Sequence, residues 1–305
     1  MRRTQTGAFS GSSGWGPPAC SSNYVPDFVS EGSGSRTRYR TGGSRSGRPT
    51  TRHSMPTPLR PTPGTTVRVL DEDLELAAAV DQAVFTQARL AAVAPLLVVP
   101  KGPWEPPPEP RARGRDFGLL LLSGLLVRDM ELAGRSFVEL RGPEDLLRPW
   151  DDAAEVTSVS ARISWTAREP TQLAWLDGDF ASSICSWPEI TAVLVARATR
   201  RARLLSFRLA ILELRHVNLR VLLLLWHLAD RWGRVGAEGV RLDLDLTHDL
   251  IARMVGAHRT SVTVALRELA NEGCIRRENR RWVLLGTPPQ DLRDTSTAHA
   301  ARRAG

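Results

Sequence analysis

The chain has 305 residues, room for about two domains, and carries 41 basic against 33 acidic side chains for a formal +8. All but one of the cations are Arg (Lys101 is the exception), and +7 of the charge falls on residues 1–64, so the remainder is nearly neutral and any nucleic-acid surface must be a local patch. The aliphatic run Val221–Leu225 is far short of the ~20 residues of a membrane span, Met1-Arg2-Arg3 leads into no apolar stretch of a secretory signal, and Cys20, Cys185 and Cys274 are too scattered for a disulfide framework or a metal cluster, which points to the cytoplasm.

Residues 1–64 are dominated by Gly, Ser, Thr, Pro and Arg and hold few clustered apolar side chains. Such a segment cannot bury enough surface to offset chain entropy, and a disordered basic tail is expected. It reads as an arm on DNA phosphates, as a solvated tail, or as sequence upstream of a start at Met55. Residues 71–93 have helical spacing at Leu74, Leu76, Val80, Val84, Leu90 and Val93. Pro95 and Pro100 bracket a short apolar strand, and Lys101 to Pro110 reads as a Pro-rich loop. From Phe117 to Leu176 short apolar runs are broken at Ser123-Gly124, Ala133-Gly134, Gly142-Pro143 and Asp177-Gly178. Short strands between regular turn signals predict a small antiparallel barrel or jelly roll. Trp104, Trp150, Trp165, Trp175 and Trp187 either anchor its core or line an apolar ligand pocket.

Pro188 opens a long helix over residues 188–214, which contain no further Pro and no Gly. Leu194, Ala198, Ala202, Leu205, Leu209 and Leu212 recur at spacings of three and four, a seam compatible with a two-helix coiled coil, with Arg197, Arg200, Arg201 and Arg203 around it. Dimerisation along this helix is the expectation, and a helix packed on its own barrel is the alternative. A second helix, roughly Asn218 to Trp232, is apolar on most of its surface and predicted to be buried, with Gly233 ending it.

The stretch Leu242 to Leu285 is the most informative. Thr247 can cap a helix, and Asp249 in its first turn suits the helix dipole. Leu250, Ile251, Met254 and Val255 form an inner face, and Gly256 supplies a left-handed turn. A new helix follows within two or three residues, with Val262, Ala265, Leu266 and Leu269 inside and Arg259, Thr260, Thr263 and Arg267 outside, Ser261 beside them. Gly273 closes it. A short helix, a tight glycine turn and a second helix with a polar start describe a helix-turn-helix. CIRRENRRWVLL then reads as a hairpin turning at Glu278-Asn279, a wing carrying Arg276, Arg277, Arg280 and Arg281. Residues 247–286 hold seven Arg and four acids.

LTHDLIARMVGAHRTSVTVALRELANEGCI resembles the helix-turn-helix of the Crp/Fnr transcription regulators almost position by position. RVLLLLWHLADRWG is similar to the first helix of that family's DNA-binding domain, and the barrel and long helix resemble its cyclic-nucleotide-binding-like domain and dimer helix. The resemblance implies an α+β chain of five parts. These are a tail over 1–64, a sensor barrel over 65–187, a dimerisation helix over 188–214, a winged helix-turn-helix over 215–287, and a second disordered tail over 288–305. It further implies a homodimer on a pseudo-palindromic operator, with the recognition helix in the major groove. Arg259 would then read a base edge, most simply guanine O6 and N7. His258, Ser261 and Thr263 fall where family members touch phosphate, with Thr247, Arg267, Arg280 and Arg281 on the same surface. Thr260 and Val264 replace the Glu and Arg of better-known members, so Thr260 is expected to meet a thymine methyl and Val264 either to pack within the protein or to make an apolar base contact. The implied partners are double-stranded DNA and a second copy of the chain. RNA polymerase is a further partner such a regulator could meet, and no membrane is involved.

The family's phosphate-binding cassette is not reproduced. Arg148-Pro149 stands where Gly-Glu is expected, and Ala161 stands near the Arg position with Arg162 one residue away, on the other face of a strand. Cyclic nucleotide binding in the usual mode is therefore not expected, the effector is left open, and an iron–sulfur sensor lacks clustered Cys ligands. His216, His227 and His248 have no ligand spacing. No paired nucleophile, metalloprotease motif or Gly-rich phosphate loop marks an enzyme. A winged helix reused as a protein-interaction module without DNA is the alternative function.

Overall fold

A computed structural model describes residues 65–108, 116–152 and 161–289. The tail expected over 1–64, Met55 included, lies outside the described residues, as does the C-terminal tail from 290 onward.

The N-terminal half of this region is a sandwich of two antiparallel sheets. One has the order β1 (Thr66–Arg68), β2 (Val93–Val99), β9 (Thr171–Leu176), β4 (Gly118–Ser123), β7 (Leu146–Leu147); the other has the order β3 (Gly102–Trp104), β8 (Arg162–Ala167), β5 (Leu126–Leu132), β6 (Arg135–Arg141). The inner faces meet in a core of Leu97, Trp104, Leu119, Leu121, Leu126, Leu147, Trp150, Trp165 and Leu173. Trp104 packs edge-on against Trp165 with ring centroids 5.8 Å apart, and Trp150 stacks on Trp175 at 6.0 Å. Trp104, Trp150 and Trp165 are thus core anchors, while Trp175 and Trp187 are half-buried. The predicted turn at Ala133-Gly134 is a two-residue hairpin loop between paired Leu132 and Arg135, with positive φ at both residues.

The stretch expected to be helical over 71–93 is instead three short helices, α1 (Val69–Glu72), α2 (Leu74–Ala79) and α3 (Phe85–Ala91). Asp73 is the reason for the first break. It is extended, and its carboxylate accepts a hydrogen bond from the Leu76 amide at 3.0 Å, starting a new helix where one continuous helix would carry on. Leu74 is consequently 82% exposed, and Leu90 is also exposed. The helices cover the outer face of the five-stranded sheet, sharing a core of Leu76, Ala94, Leu120, Leu176, Phe180, Ile190 and Leu194 with α4 (Gly178–Ser183) and the start of α5. The expected Pro-rich loop begins with the short strand β3.

The long helix α5 spans Pro188–Leu212. Its inward stripe is Ile190, Leu194, Arg197, Arg208 and Ile211, all buried, with Arg201 half-buried on the same line. The seam read from the sequence is therefore rotated. Leu194 belongs to the chain's own core, Leu205 and Leu212 are half-buried, and Ala198, Ala202 and Leu209 are exposed. Two of the inward arginines meet acids there, while the third, Arg208, donates to the Val138 carbonyl at 2.9 Å. Arg197 grips Asp73 through two bonds of 2.6 Å and Glu75 at 2.9 Å, and Arg201 reaches Glu139 at 2.9 Å.

The C-terminal region comprises α6 (Val217–Trp232), the hairpin β10 (Gly233–Gly236) and β11 (Gly239–Leu242), α7 (His248–Val255), α8 (Arg259–Asn271), β12 (Ile275–Glu278) and β13 (Arg281–Leu284). The four strands form one sheet, β10-β11-β13-β12. Its core joins Leu225, Leu228, Ile251, Val255, Val262, Leu266 and Trp282 to Val127, Val138 and Leu140 from the outer face of β5 and β6. The sandwich and the helical region thus share apolar contacts. No helix among the described residues is long and apolar enough to cross a membrane.

Candidate nucleic-acid interface

Helices α7 and α8 are set by their ends. Thr247 is extended and its hydroxyl accepts from the Leu250 amide at 3.2 Å, so α7 starts where a capping residue stands. Gly256, at φ 61°, ends α7 in the left-handed conformation, with the Ala257 amide returning to the Ala252 carbonyl at 3.0 Å. The turn is tight enough that α8 begins three residues later. Val262, Ala265, Leu266 and Leu269 of α8 are buried, while Arg259, Thr260, Thr263, Val264 and Arg267 are exposed and Ser261 is half-exposed. These are the inner and outer faces read from the sequence.

The start of α8 is open. Its N-cap residue, His258, is exposed and makes no side-chain cap, so the first amides of the helix keep their donors toward the surface. Open amides, the helix dipole and the Arg259 side chain together favour an anion there. Arg259 and Arg267 make no ion pair among the described residues. Thr263 is already engaged. Its hydroxyl donates to the Arg259 carbonyl at 3.0 Å and lies 2.9 Å from His248 Nδ1. Arg277 Nη1 stands 3.3 Å from His248 Nε2 and stacks over Trp282 at 4.6 Å. Burial, with the positive fields of Arg277 and Arg259, holds the His248 imidazole below its ordinary pKa. A neutral ring thus ties the start of α7 to the outer face of α8 and to the wing.

The wing differs from the sequence reading in two respects. The hairpin turns at Asn279-Arg280, since Glu278 pairs with Arg281, and Asn279 takes the positive φ. Three of its four arginines are also neutralised. Arg281 pairs with Asp243 at 2.8 Å, Arg280 with Asp245, and Arg276 with Glu238 and Glu278. The Arg280 guanidinium holds the Asp245 carboxyl below the usual range. Asp243, Asp245 and Glu238 lie upstream of Thr247, outside the window over which sequence counting gives a positive balance. Among the described residues, the arginines of this surface without an acid partner are therefore Arg259 and Arg267 of α8 and Arg277 of the wing. The hairpin β10–β11, which supplies the strand that β13 pairs with, was not anticipated. The glycines at 233, 236 and 239 around Val235 and Val240 were its signal.

Arg148 donates to the Asp116 carbonyl at 2.6 Å and to Asp151 at 2.7 Å. The Arg162 side chain is 82% exposed and pairs with Glu131, and Ala161 is exposed. Neither position offers an uncommitted guanidinium to the interior, so these residues do not fit a cyclic phosphate held in the family's usual way.

A short helix, a glycine turn, an exposed second helix and a β-wing define a winged helix-turn-helix protein with a two-sheet sandwich ahead of it. Residues 219–289 match the Crp-like helix-turn-helix domain. Over 103 residues the chain is 38% identical to a CRP-like cAMP-activated global transcriptional regulator of Mycobacterium tuberculosis, a match covering 34% of this chain and 46% of that protein. The chain thus spans about half the length of the curated relatives it matches. A CooA mutant from Carboxydothermus hydrogenoformans has the same fold at TM-score 0.52 and 20% identity, covering 78% of this chain and 97% of that one. A cyclic nucleotide-binding domain containing protein from Listeria monocytogenes EGD-e does so at TM-score 0.53 and 15% identity, covering 69% and 96%. Residues 219–289 thus match a Crp-like helix-turn-helix domain, in a chain that is similar over 103 residues to a CRP-like regulator.

Proposed function

We propose that the chain is a sequence-specific double-stranded DNA-binding transcription regulator that acts as a homodimer. The observation carrying this reading is the outer face of α8, where exposed Arg259, Thr260, Val264 and Arg267 flank an uncapped helix start. Placed in a major groove, Arg259 offers a guanidinium fork to guanine O6 and N7, and the open amides with His258 and Ser261 meet phosphate. Thr263 and Thr247 position the two helices, their hydroxyls being engaged within the protein. Arg280 and Arg281 would exchange Asp245 and Asp243 for phosphate, which lowers the net gain from each.

Dimerisation along α5 is supported by its exposed apolar side chains, Val195, Phe207 and Leu209. A symmetric pair would place two recognition helices about 34 Å apart, one duplex turn, and so read a pseudo-palindrome. Control by a small effector other than a cyclic nucleotide in the usual mode fits the committed Arg148 and the outward Arg162. Selection from a random duplex pool, followed by gel-shift titration at several salt concentrations, tests the reading. A symmetric consensus bound with steep salt dependence is expected; absence of salt-dependent affinity for any duplex would favour the protein-interaction alternative.

A further inference from the structure

His248 stands in the first turn of α7, Thr263 on the outer face of α8 and Arg277 on β12, and one file of hydrogen bonds joins them. Its direction is fixed by what each group can do. A guanidinium has only donors, so Arg277 Nη1, 3.3 Å away, donates to His248 Nε2. The neutral imidazole then carries its proton on Nδ1 and donates it to the Thr263 hydroxyl at 2.9 Å. That hydroxyl in turn donates to the Arg259 carbonyl at 3.0 Å. The file therefore runs from the wing, through the ring, to the first residue of α8.

A proton added at Nε2 reverses this order. Nε2 becomes a donor, and a charged imidazole then faces a guanidinium. The neighbours of the ring do not relieve that repulsion. Arg277 from the wing and Arg259 from α8 both act on it. Arg267 lies one turn beyond Thr263 on the same side of α8. The acids of the adjoining segments are engaged with other arginines, Asp249 with Arg253 at 3.2 Å, Asp245 with Arg280, and Glu278 with Arg276. A cation in the first turn of α7 also meets the positive end of that helix. The ring is thus neutral in the free chain until an external anion arrives. Arg277 meanwhile is exposed and has no acid partner among the described residues. Besides the ring it has only the stack over Trp282 at 4.6 Å and a bond of 3.4 Å to the Asn279 carbonyl.

We propose that His248 is a positioning residue for Arg277 and that binding of a duplex loads it with a proton. A phosphate approaching the start of α7 and the wing supplies the missing negative charge. The ring then takes a proton from solvent at Nε2, and Arg277 leaves the ring for the phosphate. Operator affinity consequently rises as pH falls. This coupling rests on the DNA-binding reading and adds to it one proton taken up with each half-site.

The test is titration of the full chain with the selected duplex at constant salt, from about pH 8 to about pH 5.5, in a His258→Gln background that silences the other imidazole of this surface. An imidazole whose pKa rises by one unit on binding contributes about tenfold. Affinity is therefore expected to rise by about tenfold or more toward the acid end. His248→Gln, whose amide does not titrate, should abolish that gain while binding at the alkaline end is kept. The His248 C2 proton resonance, assigned by its loss in His248→Gln, reads the same proton directly. Its midpoint should lie below the ordinary 6.5 in the free chain and move up when the duplex is added. Arg277→Met should raise the free-chain midpoint while the circular dichroism spectrum is retained. Duplex binding without dependence on pH, a gain that survives in His248→Gln, or a midpoint that neither the duplex nor Arg277→Met moves would each overturn the coupling and leave the DNA-binding reading standing. Absence of binding to any duplex at any pH would overturn both.

Discussion

Arg259 stands at the exposed start of α8 and makes no ion pair among the described residues, whereas Arg280 and Arg281 are held by Asp245 and Asp243. The two kinds of arginine should respond differently to removal. Arg259→Ala is expected to cost about 1–3 kcal/mol of discrimination at one symmetric base-pair position while non-specific binding survives. Arg281→Ala is expected to weaken binding by less than about 1 kcal/mol, evenly across sequences, because the arginine must first leave Asp243. Anisotropy titrations on the selected duplex and its single-position variants separate the two patterns. His227 makes a further prediction. Burial, with the nearby Arg208, holds its pKa below the ordinary 6.5. The unfolded chain then takes up the proton first, so stability is full above pH 6.5 and falls as pH drops toward the folded-state value. His227→Gln should flatten that part of the urea-midpoint profile, and an unchanged slope would assign it to other groups.

The long helix shows most clearly what periodicity conveys and what it hides. Its start at Pro188 and its length were legible because Pro suits a first turn and no breaker follows. Its rotation was not legible. Leu194 lies on both candidate stripes, and the inward one is completed by Arg197, Arg201 and Arg208, which hydropathy assigns to the surface. Only the partners they meet, Asp73 between α1 and α2, Glu139 within β6 and the Val138 carbonyl, would have revealed them, and those are distant in sequence. Asp73 likewise turned a periodic stretch into three helices by capping. By contrast α7 and α8 were legible almost residue by residue, because Thr247, Gly256 and Gly273 punctuate them locally. Two consequences at this scale can be measured by chemical denaturation. Arg197→Met leaves the buried Asp73 carboxylate without its partner and should destabilise by about 3–5 kcal/mol. Gly256→Ala meets only Leu212 Cδ2, at 3.5 Å, so its cost is backbone strain of about 1–2 kcal/mol.

At the scale of the molecule, the sandwich, α5 and the helix-turn-helix are joined by shared apolar core and by arginine contacts, with Arg253 of α7 paired to Asp129 of β5 and Arg231 of α6 to Asp145 at 3.0 Å. The recognition face remains outside these contacts, and so does the apolar side of α5. Leu209 is 62% exposed on that side. If dimerisation runs along it, Leu209→Glu should shift sedimentation from dimer to monomer and remove tight binding to the full palindrome while leaving weak half-site binding. A dimer that survives this change would place the interface elsewhere.

The most direct measurement is methylation interference on the selected duplex. With Arg259 in the major groove of each half-site, methylation of guanine N7 at two symmetric positions about one helical turn apart should block the wild-type protein, and Arg259→Ala should be insensitive to it. Interference confined to the minor groove, or a pattern unchanged by Arg259→Ala, would contradict the account.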